Sequence, residues 1–298
     1  MFGILNVHKP IGITSREVVG RVYRHVRPDK TGHAGTLDPI ASGVLLIPIG
    51  AASRLVPYLH QLTKSYRATF LLGRRSPSDD SETTIEMLSD PPRPTRDQLA
   101  DAVTAMVGQV MQRPPAYSAI KVAGRRAYDL ARKGNEVALS ARPVRIDRIT
   151  IEHYEYPELV VSVECGSGTY IRSIGRDLAQ ACQSEAIMTA LVRTAIGPFS
   201  IENALAVDAL SLDSINAAIL PAAVGVRHMP TFILNASEVQ EIVHGRNIAR
   251  RPVDFHGALV ADDNAIEEFA ALNTEGGLVA ILVFKGNRLA PKRVFPVA

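Results

Sequence analysis

Along the first hundred residues, apolar and polar positions change rhythm often enough to mark separate elements. "GILNV" (3–7) is a short apolar run with the pattern of a buried strand, and "HKPIG" ends it. In "ITSREVVGRVYRHV", Val18, Val19, Val22, Tyr23 and Val26 recur at helical spacing. Thr14 with Glu17 three residues later forms a capping-box pattern, so a helix starts there. "VLLIPIG" reads as a second buried strand. "SYRATFLLG" sets Tyr66, Ala68, Phe70 and Leu72 against Arg67 and Thr69, the alternation of a strand with one buried face.

From Arg74 to Pro94 the chain turns polar, acidic and proline-rich, which predicts an exposed loop. Thr95 then caps a helix over "TRDQLADAVTAMVGQV", with Leu99, Val103, Met106 and Val107 on one stripe. "QRPPAYSAIKVAGRRAYDLARKG" predicts a Pro-Pro turn and a basic helix ending at Gly134. Strands over "VRIDRITI" and "LVVSVEC" follow, and "GSGTYIRSIGRDLAQAC" reads as a glycine turn entering a helix. Strands and helices mix without regular strand–helix–strand spacing, so the expected class is α+β, not a doubly wound parallel sheet. A boundary falls near residue 225, giving units 1–225 and 226–298. The second is a β-rich segment of about 70 residues, close to the lower limit for an independent domain.

No apolar run approaches the roughly 18 residues of a membrane span. The start "MFGILNVHKP" lacks the basic and long apolar regions of a leader, so a soluble, cytoplasmic protein is expected. Cys165 and Cys182 lack metal-ligand spacing and read as buried thiols. Charge changes the picture more. Residues 1–75 carry 11 lysines and arginines against 3 acids, and 113–148 carry 9 against 3, while 76–105 carry 7 acids against 2 bases. Two basic blocks in a chain of net charge +3 suit a face turned toward a polyanion, although intermixed surface charge would give the same counts.

The common phosphate-loop, zinc-protease and serine-hydrolase patterns are absent. What remains is "GHAGTLDPIASG" (32–43), with Asp38 held between Leu37 and Pro39 among three glycines. Alone, such an aspartate is a turn former. His33, Lys9, Tyr66, Tyr170 and Arg172 likewise have ordinary structural readings when taken singly.

Taken together, "GILNVHKPIGITS", "KTGHAGTLDPIASGVLLIPIG", "KSYRATFLLG", "PPAYSAIKVAGRRAYDLARKG" and "CGSGTYIRSIGRDLA" resemble, in order and spacing, the bacterial tRNA pseudouridine-55 synthases of the TruB family over roughly residues 3–220. The C-terminal "IVHGRNI" and "GGLVAILVFKGNRLAPKRVF" resemble the small PUA-type RNA-binding barrel that often follows that catalytic domain. The resemblance implies a pseudouridine-synthase-type mixed, mainly antiparallel sheet flanked by helices. It implies isomerisation of uridine 55 in the T-loop of tRNA after base flipping, with no cofactor or metal and a monomeric enzyme.

By the same resemblance Asp38 is the catalytic carboxylate, Arg172 its guanidinium partner, and Tyr66 the ring that stacks on the base and the hydroxyl that takes the C5 proton. Lys9, Tyr170 and Leu191 are expected to line the pocket, and His33 to fill the space the flipped base leaves. Arg21 and Arg24 on one helix, and Arg125 and Arg126 on the other, are expected at the RNA backbone. The carboxylate could attack C1′ or remove a ribose proton to give a glycal, and the residues do not choose between these routes. A non-catalytic tRNA-binding or folding protein and an RNA N-glycosylase are the rival readings. The chain departs from the family pattern in "RRSPSDDSETTIEM", which lacks the glycine-closed "TDTxDxxG" form while keeping Asp79 and Asp80, and at Ala34, where a threonine is commoner.

Overall fold

A computed structural model describes residues 1–118, 121–122, 125–126, 139–249 and 268–296. A long mixed sheet is built from β1 (Gly3–Lys9), β2 (Ala41–Ile49), β3 (Lys64–Leu72), β4 (Gly108–Gln112), β5 (Arg142–Glu155), β6 (Glu158–Cys165), β7 (Ala186–Ile196) and β8 (Leu205–Ala206). Its order is β8-β1-β2-β7-β3-β6-β5-β4, and Phe199–Ser200 folds back onto β7 as a ninth strand. Only β1–β8 and β2–β7 are parallel; the other pairings are antiparallel, as an α+β fold requires.

β2 is buried along nearly its whole length, which explains why "VLLIPI" shows no alternation. β3 does alternate: Ala68, Phe70 and Leu72 are buried and Arg67 is exposed. Helices α1 (Ser15–Val26), α2 (Arg96–Ala105) and α3 (Ile171–Ala181) pack beside the sheet. The Thr14–Glu17 capping box forms on both sides, and α1 buries Val18, Val22 and Val26. α3 lies so close to β3 that a Cβ on Gly175 would stand 2.1 Å from Phe70, so glycine is required there.

Three local expectations are corrected. α2 stops at Ala105 and does not run on through Val110: Gly108 turns at φ +107° and "GQVMQ" joins the sheet edge as β4. Arg125 and Arg126 form a strand paired antiparallel with Lys121 and Val122, where a basic helix was expected; the rest of that predicted helix, 127–134, lies outside the described residues. Residues 74–94 do not form a plainly exposed loop. Arg74–Arg75 pairs with Glu86–Met87, and Ser78 and Asp80 between them are buried. The proline and acid content of this segment gives no sign of arginine partners about ninety residues away.

A second, five-stranded sheet contains β9 (Thr231–Ile233), β10 (Ile248–Ala249), β11 (Phe269–Leu272), β12 (Leu278–Lys285) and β13 (Arg288–Val294), in the order β9-β11-β12-β13-β10. Ala270, Leu278, Ile281 and Phe295 share one apolar cluster with Ile4, Leu55, Leu59 and Ile196 of the first unit. The chain near residue 225 is packed into that cluster. Ala222 and Val226 are buried, and a Cβ on Gly225 would overlap Ile4 and Leu59.

Candidate active site

The loop carrying Asp38 is held from both flanks by hydrogen bonds to other elements. Before it, Ala34 N–H donates to Leu46 O at 3.0 Å, and the Leu37 N–H donates to Ser15 Oγ at 2.9 Å while that hydroxyl donates back to Leu37 O. After it, Gly12 N–H donates to Pro39 O at 2.8 Å and Ala41 N–H to Asp38 O at 3.1 Å. These bonds tie the loop to β2 and to the start of α1. The glycines and proline of "GHAGTLDPIASG" thus shape a fixed segment whose aspartate side chain stays 42% exposed.

Arg172, on the first turn of α3, reaches that side chain. Its Nη2 donates to Asp38 Oδ2 at 3.1 Å and to Tyr117 O at 3.0 Å, and its Nη1 donates to Asp80 Oδ2 at 3.1 Å and Ser78 O at 3.0 Å. The guanidinium is 8% exposed and Asp80 is fully buried. One arginine therefore joins an open carboxylate to a closed one, and four acceptors fix its fork. One turn along α3, Arg176 Nη1 donates to Asp79 Oδ2 at 2.8 Å and its Nε to Asp177 Oδ1 at 2.9 Å. Burial pushes the Asp79 and Asp177 carboxyls up, with Arg176 opposing it in both. Asp79 and Asp80 are the partners that sequence reasoning missed. Their survival in the altered acidic segment was the one signal pointing to them.

Asp38, Tyr66, Tyr170, Arg172 and Leu191 line one cavity of about 630 Å³, together with Lys64, Tyr117, Arg142 and Arg193. That size suits a small organic group such as one nucleotide. The Arg142 guanidinium lies 5.2 Å from the centroid of the Tyr170 ring, and Gln112 brackets the Tyr170 backbone by bonding both its N–H and its C=O. Burial pushes the Tyr66 phenol up, with the Arg193 guanidinium acting the other way. Lys64 donates to the carbonyls of His60 and Leu62 and to Ser167 Oγ, and burial lowers its ammonium to about 8. Among the described residues no group of three or more His, Cys, Asp or Glu side chains is placed to hold a metal ion.

One expected pocket residue sits elsewhere. Lys9 is fully buried behind the loop and does not line the cavity. Its Nζ donates to Ala41 O at 2.7 Å and Pro10 O at 2.9 Å, and burial lowers its pKa while Asp38 opposes the shift. Its position at the end of β1 forces this, because the side chain points under the segment after Asp38. His33 lies outside the cavity wall and pairs with Thr36 Oγ1 at 3.0 Å. Arg24 is exposed on α1, whereas Arg21 is half-buried and stands 3.8 Å from Asp208. The strand position of Arg125 and Arg126 is described, but their side chains lie outside the described residues.

Known proteins resemble the chain closely. A family model described as "TruB family pseudouridylate synthase (N terminal domain)" matches residues 23–171. A protein named tRNA pseudouridine synthase B from Gluconacetobacter diazotrophicus is 42% identical over 83% of this chain and 82% of its own length. One of the same name from Paenarthrobacter aurescens is 39% identical over 98% and 94%. Among solved structures, a chain of a Cbf5-Nop10-Gar1 complex superposes with a TM-score of 0.75 at 26% identity, covering 99% of this chain and 85% of that one. The matched region contains the loop of Asp38, the strand of Tyr66 and the turn into α3, so the residues that build the cavity and the likeness to known proteins lead to one statement: the chain belongs to the TruB family of pseudouridine synthases.

Proposed function

We propose that this enzyme isomerises uridine 55 in the T-loop of tRNA, with Asp38 as the catalytic carboxylate. The observation that carries the reading is the Asp38–Arg172 pair, at 3.1 Å, on the wall of a cavity that also holds the Tyr66 ring. The reaction breaks the N1–C1′ bond, turns the freed uracil, joins its C5 to C1′, removes the C5 proton and leaves N1 carrying a proton in its place. No electrons enter or leave, and no group is imported.

Asp38 projects from a fixed loop into the cavity, and Arg172 holds its carboxylate in one geometry. The Tyr66 ring offers a flat wall on which a rotated uracil rests as well as the original one, and its hydroxyl, once ionised, takes the C5 proton. Tyr170 and Leu191 close the pocket around the base, which must first leave its stack at a cost of a few kcal/mol. Lys9 supports the far end of the Asp38 loop. Arg21 and Arg24 on α1, with Arg125 and Arg126, hold the phosphate backbone, and His33 meets the RNA outside the pocket. Residues 1–225 act as the catalytic unit and 226–298 as a PUA-like RNA-binding unit; the enzyme is a cytoplasmic monomer.

The test compares wild type with Asp38→Asn on an unmodified T-arm stem-loop, measuring pseudouridine, free uracil and RNA binding. The variant is expected to bind RNA and form no pseudouridine. Wild-type turnover by the variant would remove Asp38 from the reaction. Free uracil from the wild type would make it a glycosylase, and binding without any product would leave an RNA-binding protein.

A further inference from the structure

Arg193 on β7 is only 2% exposed, yet no carboxylate among the described residues lies within 4 Å of its guanidinium. Buried arginines ordinarily sit against an acid, because desolvating an unpaired charge is costly. Here Nε donates to Val44 O and Nη2 to Gly35 O, both at 2.8 Å. Those two carbonyls lie on either side of Asp38, one in the loop before it and one just past the loop's end. Two glycines leave room for the arrangement. Gly43, at φ +106°, faces Arg193 so closely that a Cβ would lie 2.2 Å from its carbonyl oxygen, and a Cβ on Gly35, at φ +87°, would lie 3.3 Å from its Nη1.

The register of the sheet supplies the rest. Arg193 stands directly opposite Tyr66 in the β7–β3 pairing, with an irregularity just after it, and both side chains line the cavity. Bulges of this kind re-aim side chains. A neutral amide could hold two carbonyls equally well, without repelling Lys9, Lys64 and His33, which all feel the Arg193 charge. A guanidinium held by carbonyls and by no carboxylate keeps its charge available to the phenol across the strand pair.

We infer that Arg193 is a positioning residue for the isomerisation: it locks the Asp38 loop and the Tyr66 hydroxyl into one frame and favours the ionised phenolate, which takes the C5 proton and becomes the neutral phenol. The inference rests on the proposed role of Tyr66. Besides Arg193 from β7, the phenol is faced by Cys165 from β6 and Asp38 from the loop. It shares its own strand with Lys64.

The experiment uses the full chain carrying 3-fluorotyrosine, whose more acidic phenol titrates at lower pH. Fluorine NMR follows the Tyr66 signal, identified by its loss in Tyr66→Phe, in wild type, Arg193→Gln and Arg193→Lys. The phenol is expected to titrate higher by about one pH unit in Arg193→Gln, with Arg193→Lys between it and wild type. Single-turnover pseudouridine formation should fall at least about tenfold in Arg193→Gln, while stem-loop affinity changes less than about threefold. An unmoved Tyr66 titration, or a loss confined to RNA affinity, overturns the inference. Should Arg193→Gln fail to fold, Arg193→Lys decides alone: a titration equal to wild type with the rate lost would show that only the fork geometry matters and would overturn the charge argument. If wild type makes no pseudouridine the proposed function fails, and the titration still reports on the Arg193–Tyr66 coupling.

Discussion

Replacing Asp80 by asparagine tests whether the reacting pair depends on a carboxylate that never touches the cavity. Asp80 is fully buried, receives Arg172 Nη1 on Oδ2 at 3.1 Å, and takes Ser78 Oγ and the Glu82 N–H on Oδ1. Asparagine keeps an acceptor for Ser78 and Glu82 but turns an amide donor toward the guanidinium. One charge-assisted bond is lost, about 1.5–3 kcal/mol. The buried cation also loses its closed partner, and removing one member of a buried pair costs about 3–5 kcal/mol at most. A stability loss of about 2–4 kcal/mol follows, because Asp38 and two carbonyls still hold Arg172. In the reaction, a fork freed on one side lets the Asp38 carboxylate swing, and about 1.4–2.7 kcal/mol of lost orientation slows the chemical step roughly 10- to 100-fold. Urea unfolding and single-turnover pseudouridine formation read the two effects separately. Stability within about 0.5 kcal/mol of wild type together with an unchanged rate would refute the reasoning.

Gly43→Ala places a methyl group on backbone at φ +106°, 2.2 Å from Arg193 O, so it should destabilise by at least the roughly 1–3 kcal/mol of backbone strain and lower activity with it; a thermal melt equal to wild type would contradict this. Lys64 titrates at about 8 in the fold against an ordinary 10.5, so the folded chain sheds this proton before the unfolded one does. Its burial cost is fully present below about 8 and relieved as pH rises toward 10.5, and the stability of wild type relative to Lys64→Met should climb across that window in urea titrations; a pH-independent difference would count against it. Affinity for a T-arm stem-loop should fall steeply with salt, and Arg24→Ala should reduce the slope of log affinity against log salt by about one, whereas a flat salt response would remove the basic face.

Elements whose signals are local were legible in the sequence. The Thr14–Glu17 box, the alternation of "SYRATF" and the glycine turn into α3 each depend on residues a few positions apart, and each occurs as the pattern predicts. The end of α2 was missed because an apolar stripe continues through Val107 while Gly108 breaks the helix beneath it. Within the site, Asp38, Tyr66 and Arg172 could be picked out by their motifs. Lys9 was misplaced, since spacing along a chain does not tell which side of a loop a buried amine supports. Asp80 was read as loop surface for a related reason: its partner is 92 residues distant, and the acid-rich composition that hides it is the same composition an exposed loop would have.

The charge arrangement around the cavity has a consequence of its own. Arg172, Arg193 and Lys64 reach its wall and Lys9 stands behind the loop, against Asp38 on the wall and Asp80 behind it. Asp80 is committed to Arg172, and burial lowers the ammonium groups of Lys9 and Lys64, with Asp38 opposing the shift at Lys9. A site left with surplus positive charge in a low-dielectric setting attracts anions strongly, and a phosphodiester backbone is the anion that an RNA-modifying enzyme meets. Yet the reacting group is itself an anion, which an anionic substrate would repel. The Arg172 fork resolves this conflict. Itself fixed by a buried acid and two carbonyls, the fork holds Asp38 so that a carboxylate stands in a cationic pocket without being neutralised by a freely moving partner or displaced by a phosphate.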